Sequence, residues 1–214
     1  MNHKKITGIT VIRHGETEWN KIGLQQGHLN SNLTILGIKQ AETLANALSE
    51  IKFDHIYSSD LLRAFDTAKI ISKKMNLEIK TDPRLRERNL GIMQGLTIAE
   101  FKEKFPEEYA KFISDDPDVP VKNGESKNEH FKRVKQCIVE LGNRHIGENI
   151  LIVTHGGVIE KIFRFALGIP LEAKRNFSLF NSSINTFTFQ DNILFLKTWG
   201  DINHLKEIGT TDDF

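Results

Sequence analysis

The 214-residue chain has one cysteine, Cys137, which excludes an internal disulfide and any four-cysteine metal site. Cys137 falls among Phe131, Val134, Ile138 and Leu141 at helical spacing, and reads as a small core residue rather than a reactive thiol. An excess of charge of one sign is also missing, since 29 Lys and Arg stand against 28 Asp and Glu. There is thus no global field to hold nucleic acid or an anionic membrane, and any anion site has to be a local cluster. No apolar run approaches the roughly 20 residues of a membrane helix. Met1-Asn2-His3-Lys4-Lys5 runs into a short apolar stretch without signal-peptide features, so a cytoplasmic location is expected. Internal repeats, low-complexity tracts and flexible linkers are absent too, and residues 1–214 are expected to form one domain.

What is present is an alternation of short apolar runs with longer amphipathic ones. Strands are expected at 6–12, 53–57, 77–81 and 149–153, the last an unbroken apolar run of the kind buried on both faces. Helices are expected at 34–51, 60–75, 126–145 and 156–167, the last stopped by Gly168 with Pro170 beyond. Residues 184–189 and 193–199 alternate around Gln190-Asp191-Asn192 and read as a hairpin. Two short helical pieces split by Pro106, then a turn-rich loop, make 97–123 a candidate cap, and the polar tail from Gly209 to Phe214 is expected to be loose. Strands alternating with helices imply an α/β fold, a mostly parallel sheet with helices on both faces.

Two segments share one design. Ile9-Thr10-Val11-Ile12 leads into Arg13-His14-Gly15, and Leu151-Ile152-Val153-Thr154 leads into His155-Gly156-Gly157. Each delivers a histidine at the carboxyl end of a strand, where open α/β sheets bind ligands, and glycine then lets the backbone turn sharply. If the strands are neighbours, both imidazoles face one crevice. A metal is disfavoured there: no His-Glu-x-x-His motif exists, Glu16 lies two residues from His14, and Arg13 would repel a cation. Arginine beside histidine suits a phosphoryl group, whose charge in transfer demands several converging cations. Arg63 is a second candidate cation, although on this evidence alone its position just inside a helix favours a solvated helix face.

The string Val11-Ile12-Arg13-His14-Gly15-Glu16-Thr17-Glu18-Trp19-Asn20 resembles the signature of the histidine phosphatase superfamily, the phosphoglycerate-mutase-like proteins. Further blocks match in order: Gln26-Gly27, Leu33-Thr34 with Gly37 and Gln40-Ala41, Ser58-Ser59-Asp60-Leu61-Leu62-Arg63-Ala64, Leu85-Arg86-Glu87, Gly124-Glu125-Ser126 and Thr154-His155-Gly156-Gly157. The resemblance implies a mutase-like fold with His14 as a nucleophile that takes the phosphoryl group. It implies that Arg13, Arg63 and His155 hold phosphate oxygens, with Asn20, Gln26, Gly27 and Gly156 also lining the phosphate site. Glu87 is implied as the proton donor to the leaving oxygen. No step of that chemistry needs a metal or another cofactor.

Departures from the family pattern bear on substrate. Leu24 stands where the family often has arginine, and Leu90 and Ile98 stand where the glycolytic mutases grip their substrate with tyrosine and lysine. A mutase must hold a second phosphate while its substrate turns round, so hydrolysis of small phosphate esters is expected over mutase activity. The remaining alternative is a silent module that binds phosphorylated ligands. Phe101, Phe105, Tyr109 and Phe112 are spaced for helix packing, with a cleft-facing role as the alternative. Lys102, Lys104, Lys111 and Lys122 are expected to be solvated. Oligomeric state is left open.

Overall fold

The computed structural model describes residues 6–114 and 116–210. In chain order it contains β1 (Thr7–Arg13), α1 (Glu18–Lys21), α2 (Ile35–Ala47), β2 (His55–Ser58), α3 (Leu62–Met75), β3 (Ile79–Thr81), α4 (Ile98–Lys104), α5 (Pro106–Phe112), α6 (Lys127–Arg144), β4 (Asn149–Thr154), α7 (Gly156–Leu167), β5 (Ile184–Gln190) and β6 (Ile193–Asp201). Every expected element is found, most with trimmed ends. Helix α2 stops at Ala47, and Phe53 is buried ahead of its strand rather than within it. The four residues of α1 are too few to show a period, and no strand or helix was expected there. The tail beyond residue 210 lies outside the described residues.

The six strands form one sheet in the order β3-β2-β4-β1-β5-β6. Strands β1, β4, β2 and β3 run parallel, while β5 and β6 add an antiparallel hairpin. The hairpin turns through Asp191 (φ 52°) and Asn192 (φ 63°), a left-handed pair that matches the strand twist and that Asp and Asn tolerate. Alternation along the central strands splits the core in two. Ile9, Val11, Ile150 and Ile152 face Val134, Cys137, Ile138 and Leu141 of α6 and Val158, Ile159 and Ile162 of α7. Ile12, Leu151 and Val153 face Leu44 of α2, Leu48 just past its end, and Ala64, Ala68 and Ile71 of α3. Both faces of the sheet are covered, as a parallel sheet requires. Cys137 sits in this core, and burial pushes its thiol up to about 12, so it is a packing residue and not a nucleophile.

A third apolar cluster gathers Met93, Phe101 and Val121, with Tyr109 and Phe112 packed on it. Pro106 opens α5 at its first turn, where its missing N–H costs nothing. The 97–123 segment thus has its own small core, with Phe101 at its centre and Phe105 exposed. No helix among the described residues is long and apolar enough to cross a membrane.

Candidate active site

Strands β1 and β4 are neighbours, with Arg13 paired to Thr154. The ladder continues one step past the strand end, since His14 N donates to Thr154 O (2.9 Å). The two imidazoles therefore meet at the carboxyl edge, ring centroids 5.3 Å apart and tilted by 61°. On the other side of β4, Ser59 N donates to Val153 O, and Ser59 Oγ lies 2.8 Å from His155 Nε2.

The loop after β1 is pinned from both neighbouring helices. Gly15 N donates to Thr67 Oγ1 of α3 (3.1 Å), and Glu16 N donates to Gln40 Oε1 of α2 (2.9 Å). Thr34 caps α2 by accepting from Gly37 N and also donates to Glu16 Oε1 (both 2.9 Å). A Cβ on Gly15 would overlap the Gly37 carbonyl, and one on Gly37 would overlap the Glu16 carbonyl. Backbone lies against backbone here, and only glycine fits.

His14 is 3% exposed. Its Nδ1 lies 2.8 Å from Gly15 O; a carbonyl can only accept, so Nδ1 carries the proton and Nε2 keeps its lone pair. Burial, then the Arg63 and Arg13 guanidinium groups, holds the His14 pKa well below the ordinary imidazole value. The same causes, with His14 added, act on His155. Both rings are thus neutral at pH 7, which is the state a nucleophilic nitrogen needs.

Arg13 and Arg63 are 1% exposed. Arg13 Nη1 donates to Leu179 O. Arg63 donates to Gly27 O (2.8 Å) and Leu29 O (3.0 Å), tying α3 to the 26–29 loop. The solvated-face reading of Arg63 is therefore incorrect. Arg63 lies in phase with Ala64, Thr67, Ala68 and Ile71, the buried face of α3, and that phase was visible in the sequence.

Glu87 enters from the loop after β3. Its Oε2 accepts from Gly157 N (2.9 Å) and its Oε1 from Arg88 N (2.7 Å). A Cβ on Gly157 would collide with that carboxylate. The carbonyls around Glu87 are gathered by Arg133 of α6, which donates to Arg84 O, Arg86 O and Glu87 O (2.7–2.8 Å) while Glu125 holds its far edge. Sequence reasoning gave Arg133 no role, because a clamp on carbonyls distant along the chain leaves no local trace.

A cleft of about 710 Å³ joins these groups. Arg13, His14, Asn20, Gln26, Gly27, Arg63, Glu87 and Gly156 all line it, whereas His155 is fully buried, is not in the lining, and meets the site through its ring contact with His14. Asn20 also serves α1, its Oδ1 accepting from Thr17 N and Oγ1. Leu24, Leu90, Ile98 and Phe112 form an apolar wall, which brings together the three departures from the family pattern and one cap aromatic. Lys102, Lys104, Lys111 and Lys122 are not in the lining. Arg88, Lys127, His130 and Lys161 are, and the sequence reading assigned none of them to the site. Among the described residues one group could hold a metal ion, His55, His145 and Glu148, and it lies outside the cleft. It begins at the amino end of β2, the opposite edge of the sheet, and Tyr57 and Lys80 already hydrogen-bond its imidazoles.

A family model described as histidine phosphatase superfamily (branch 1) matches residues 9–202. The chain is 43% identical to phosphoglycerate mutase-like protein 4 of Arabidopsis thaliana, over 94% of this chain and 88% of the relative. It is 38% identical to a metal-independent phosphoserine phosphatase of the same plant, over 96% and 86%. Among solved structures, phosphoserine phosphatase of Entamoeba histolytica in complex with 3-phosphoglyceric acid superposes with a TM-score of 0.83 and 32% identity, covering 93% of this chain and 99% of that one.

Proposed function

The chain belongs to the histidine phosphatase superfamily, branch 1, and on that premise we propose that it is a metal-independent hydrolase of small phosphomonoesters working through a phosphohistidine at His14. The observation that carries this reading is the His14 tautomer: Nδ1 is committed to the Gly15 carbonyl, which leaves Nε2 as nucleophile beside two buried arginines. The ester enters with its phosphate between Arg13, Arg63 and His155. His14 Nε2 attacks phosphorus in line, and the arginines neutralise the equatorial oxygens. Glu87 protonates the departing alcohol oxygen. It then takes a proton from the water that attacks the phosphohistidine, which releases phosphate and restores neutral His14.

Hydrolysis is favoured over the mutase reaction by the wall of Leu24, Leu90, Ile98 and Phe112. At these positions a second phosphate finds no charge or hydrogen bond, and the cations Arg88, Lys127 and Lys161 elsewhere in the lining leave room for a smaller anionic group. In the same reading the 97–123 segment is a cap that supplies Ile98 and Phe112 of this wall, over one catalytic domain with a cytoplasmic location. The test is phosphate release from a panel of esters with chelator present: p-nitrophenyl phosphate, O-phosphoserine, 3-phosphoglycerate and sugar phosphates. Turnover that survives chelator is expected. Interconversion of 2- and 3-phosphoglycerate after bisphosphoglycerate priming, without phosphate release, would establish the mutase instead.

The pH profile follows from the same groups. A histidine whose pKa is lowered stays neutral as pH falls through 6.5, so the acid limb of kcat/KM set by His14 lies well below that value. Because His14 is already neutral at pH 7, raising the pH further adds no nucleophile. Activity that stays level from neutrality down to that low acid limb is expected. An acid limb at 6.5 or higher, or activity still climbing in strongly alkaline buffer, would contradict these roles.

A further inference from the structure

His130 is 1% exposed, and neither of its ring nitrogens has a hydrogen-bond partner among the described residues. It nonetheless lines the cleft. Buried polar side-chain atoms are bonded in the large majority of cases, and an imidazole left without partners loses its hydration for nothing in return. The residue projects from the first turn of α6, in phase with Val134, Cys137, Ile138 and Leu141. That phase orients it inward, where a leucine would otherwise complete the packed stripe. Burial and the cations Arg133, Lys161 and Arg88 around it hold its pKa well below the ordinary value, so the ring is neutral, with one N–H to donate.

The surroundings define what it would donate to. Arg88 lines the same part of the cleft, its Nε held by Glu125 O at 2.7 Å. Lys161 also lines it, and the acids nearby are already committed: Glu87 to Gly157 N and Arg88 N, Glu125 to Arg133, Glu129 to Ser126 N at the start of α6, and Glu160 to Lys161 (3.0 Å) and Arg164 (2.8 Å). The charges that act most on the His130 ring are the cations Arg133, Lys161 and Arg88, and a group that accepts hydrogen bonds and carries negative charge fits beside it. Leu24, Leu90 and Ile98 line the same cleft and offer neither charge nor hydrogen bond.

We infer that His130 and Arg88 form a subsite for a carboxylate on the alcohol part of the phosphate ester, which makes His130 a specificity-determining residue. The inference rests on the phosphomonoesterase reading. It separates the two ends of the substrate: phosphate at the strand ends, carboxylate against α6, and the short carbon chain along the leucine wall.

O-Phosphoserine and O-phosphoethanolamine differ by that one carboxylate, so the ratio of their kcat/KM values reads the subsite directly. The native chain is expected to favour phosphoserine by about tenfold or more, and His130→Leu to cut the ratio by about tenfold, mainly through KM. His130→Asn, which keeps an N–H donor, is expected to recover part of it and to report on folding independently. A native ratio near one, or a ratio unchanged in His130→Leu, would overturn the subsite. Should neither ester be turned over, the phosphatase reading fails. Calorimetric titration of His14→Ala protein with 3-phosphoglycerate and glycerol 3-phosphate, with and without His130→Leu, then decides the subsite alone. Preferential binding of the carboxylated ligand that His130→Leu abolishes supports it, and equal binding refutes it.

Discussion

His14→Ala is expected to lower turnover of every phosphate ester by about 10⁴-fold or more, a loss on the order of 5 kcal/mol of transition-state stabilisation. The substitution removes the nucleophile and leaves Arg13, Arg63 and His155 in place. Phosphate should therefore still bind, and KM for the residual activity should move far less than kcat. Fold stability should change little, because the ring's one described hydrogen bond runs to the carbonyl of the next residue. The direct check is a quench experiment with an isotopically labelled phosphate ester. Native protein should carry an alkali-stable, acid-labile phosphoryl group, and the variant none. Turnover within tenfold of native would remove His14 from the mechanism.

Glu87→Gln should separate the two half-reactions. Loss of a general acid typically costs 10²–10⁴-fold, and kcat on alkyl esters such as phosphoserine is expected to fall by about 10³-fold. p-Nitrophenolate leaves without needing a proton, so transfer to His14 should persist with that ester. Hydrolysis of the phosphohistidine still lacks its base, and the labelled intermediate should accumulate after a burst. Glutamine retains an oxygen for the Gly157 N–H, so the loop keeps one of its two anchors. Equal loss on both esters, with no burst, would mean that Glu87 positions the loop and moves no proton.

The placement of the two histidines was legible because its signals are local. His14 and His155 each end an apolar strand run and precede glycine, and these strands turn out to be adjacent. What remained hidden depends on contacts between residues far apart in the chain. Arg133 reaches back 46–49 residues to carbonyls that no periodicity marks. Ser59 was part of a matched block, yet its pairing with His155 comes from the β2–β4 register. Arg63 and His130 form a middle case. Both sit in phase with a buried helical stripe, and a polar residue in such a phase is more informative than its exposure-prone type suggests. The lysines at 102, 104, 111 and 122 were read as solvated and none lines the cleft, whereas Lys127 and Lys161 do because α6 and α7 both start at its rim.

The glycine contact between residues 15 and 37 has a consequence for how such a protein can change over time. It locks the His14 loop to the start of α2 with no side chain between them, so the end of the cleft that carries His14 admits almost no variation. The rest of the lining comes from other parts, among them Ile98 and Phe112, the first turn of α6 and residues 171–175, and on the proposed reading it faces the alcohol. Single substitutions there can trade one alcohol for another while the reaction itself stays intact. A mutant library aimed at new substrates should therefore draw its diversity from that second group and leave the seam untouched.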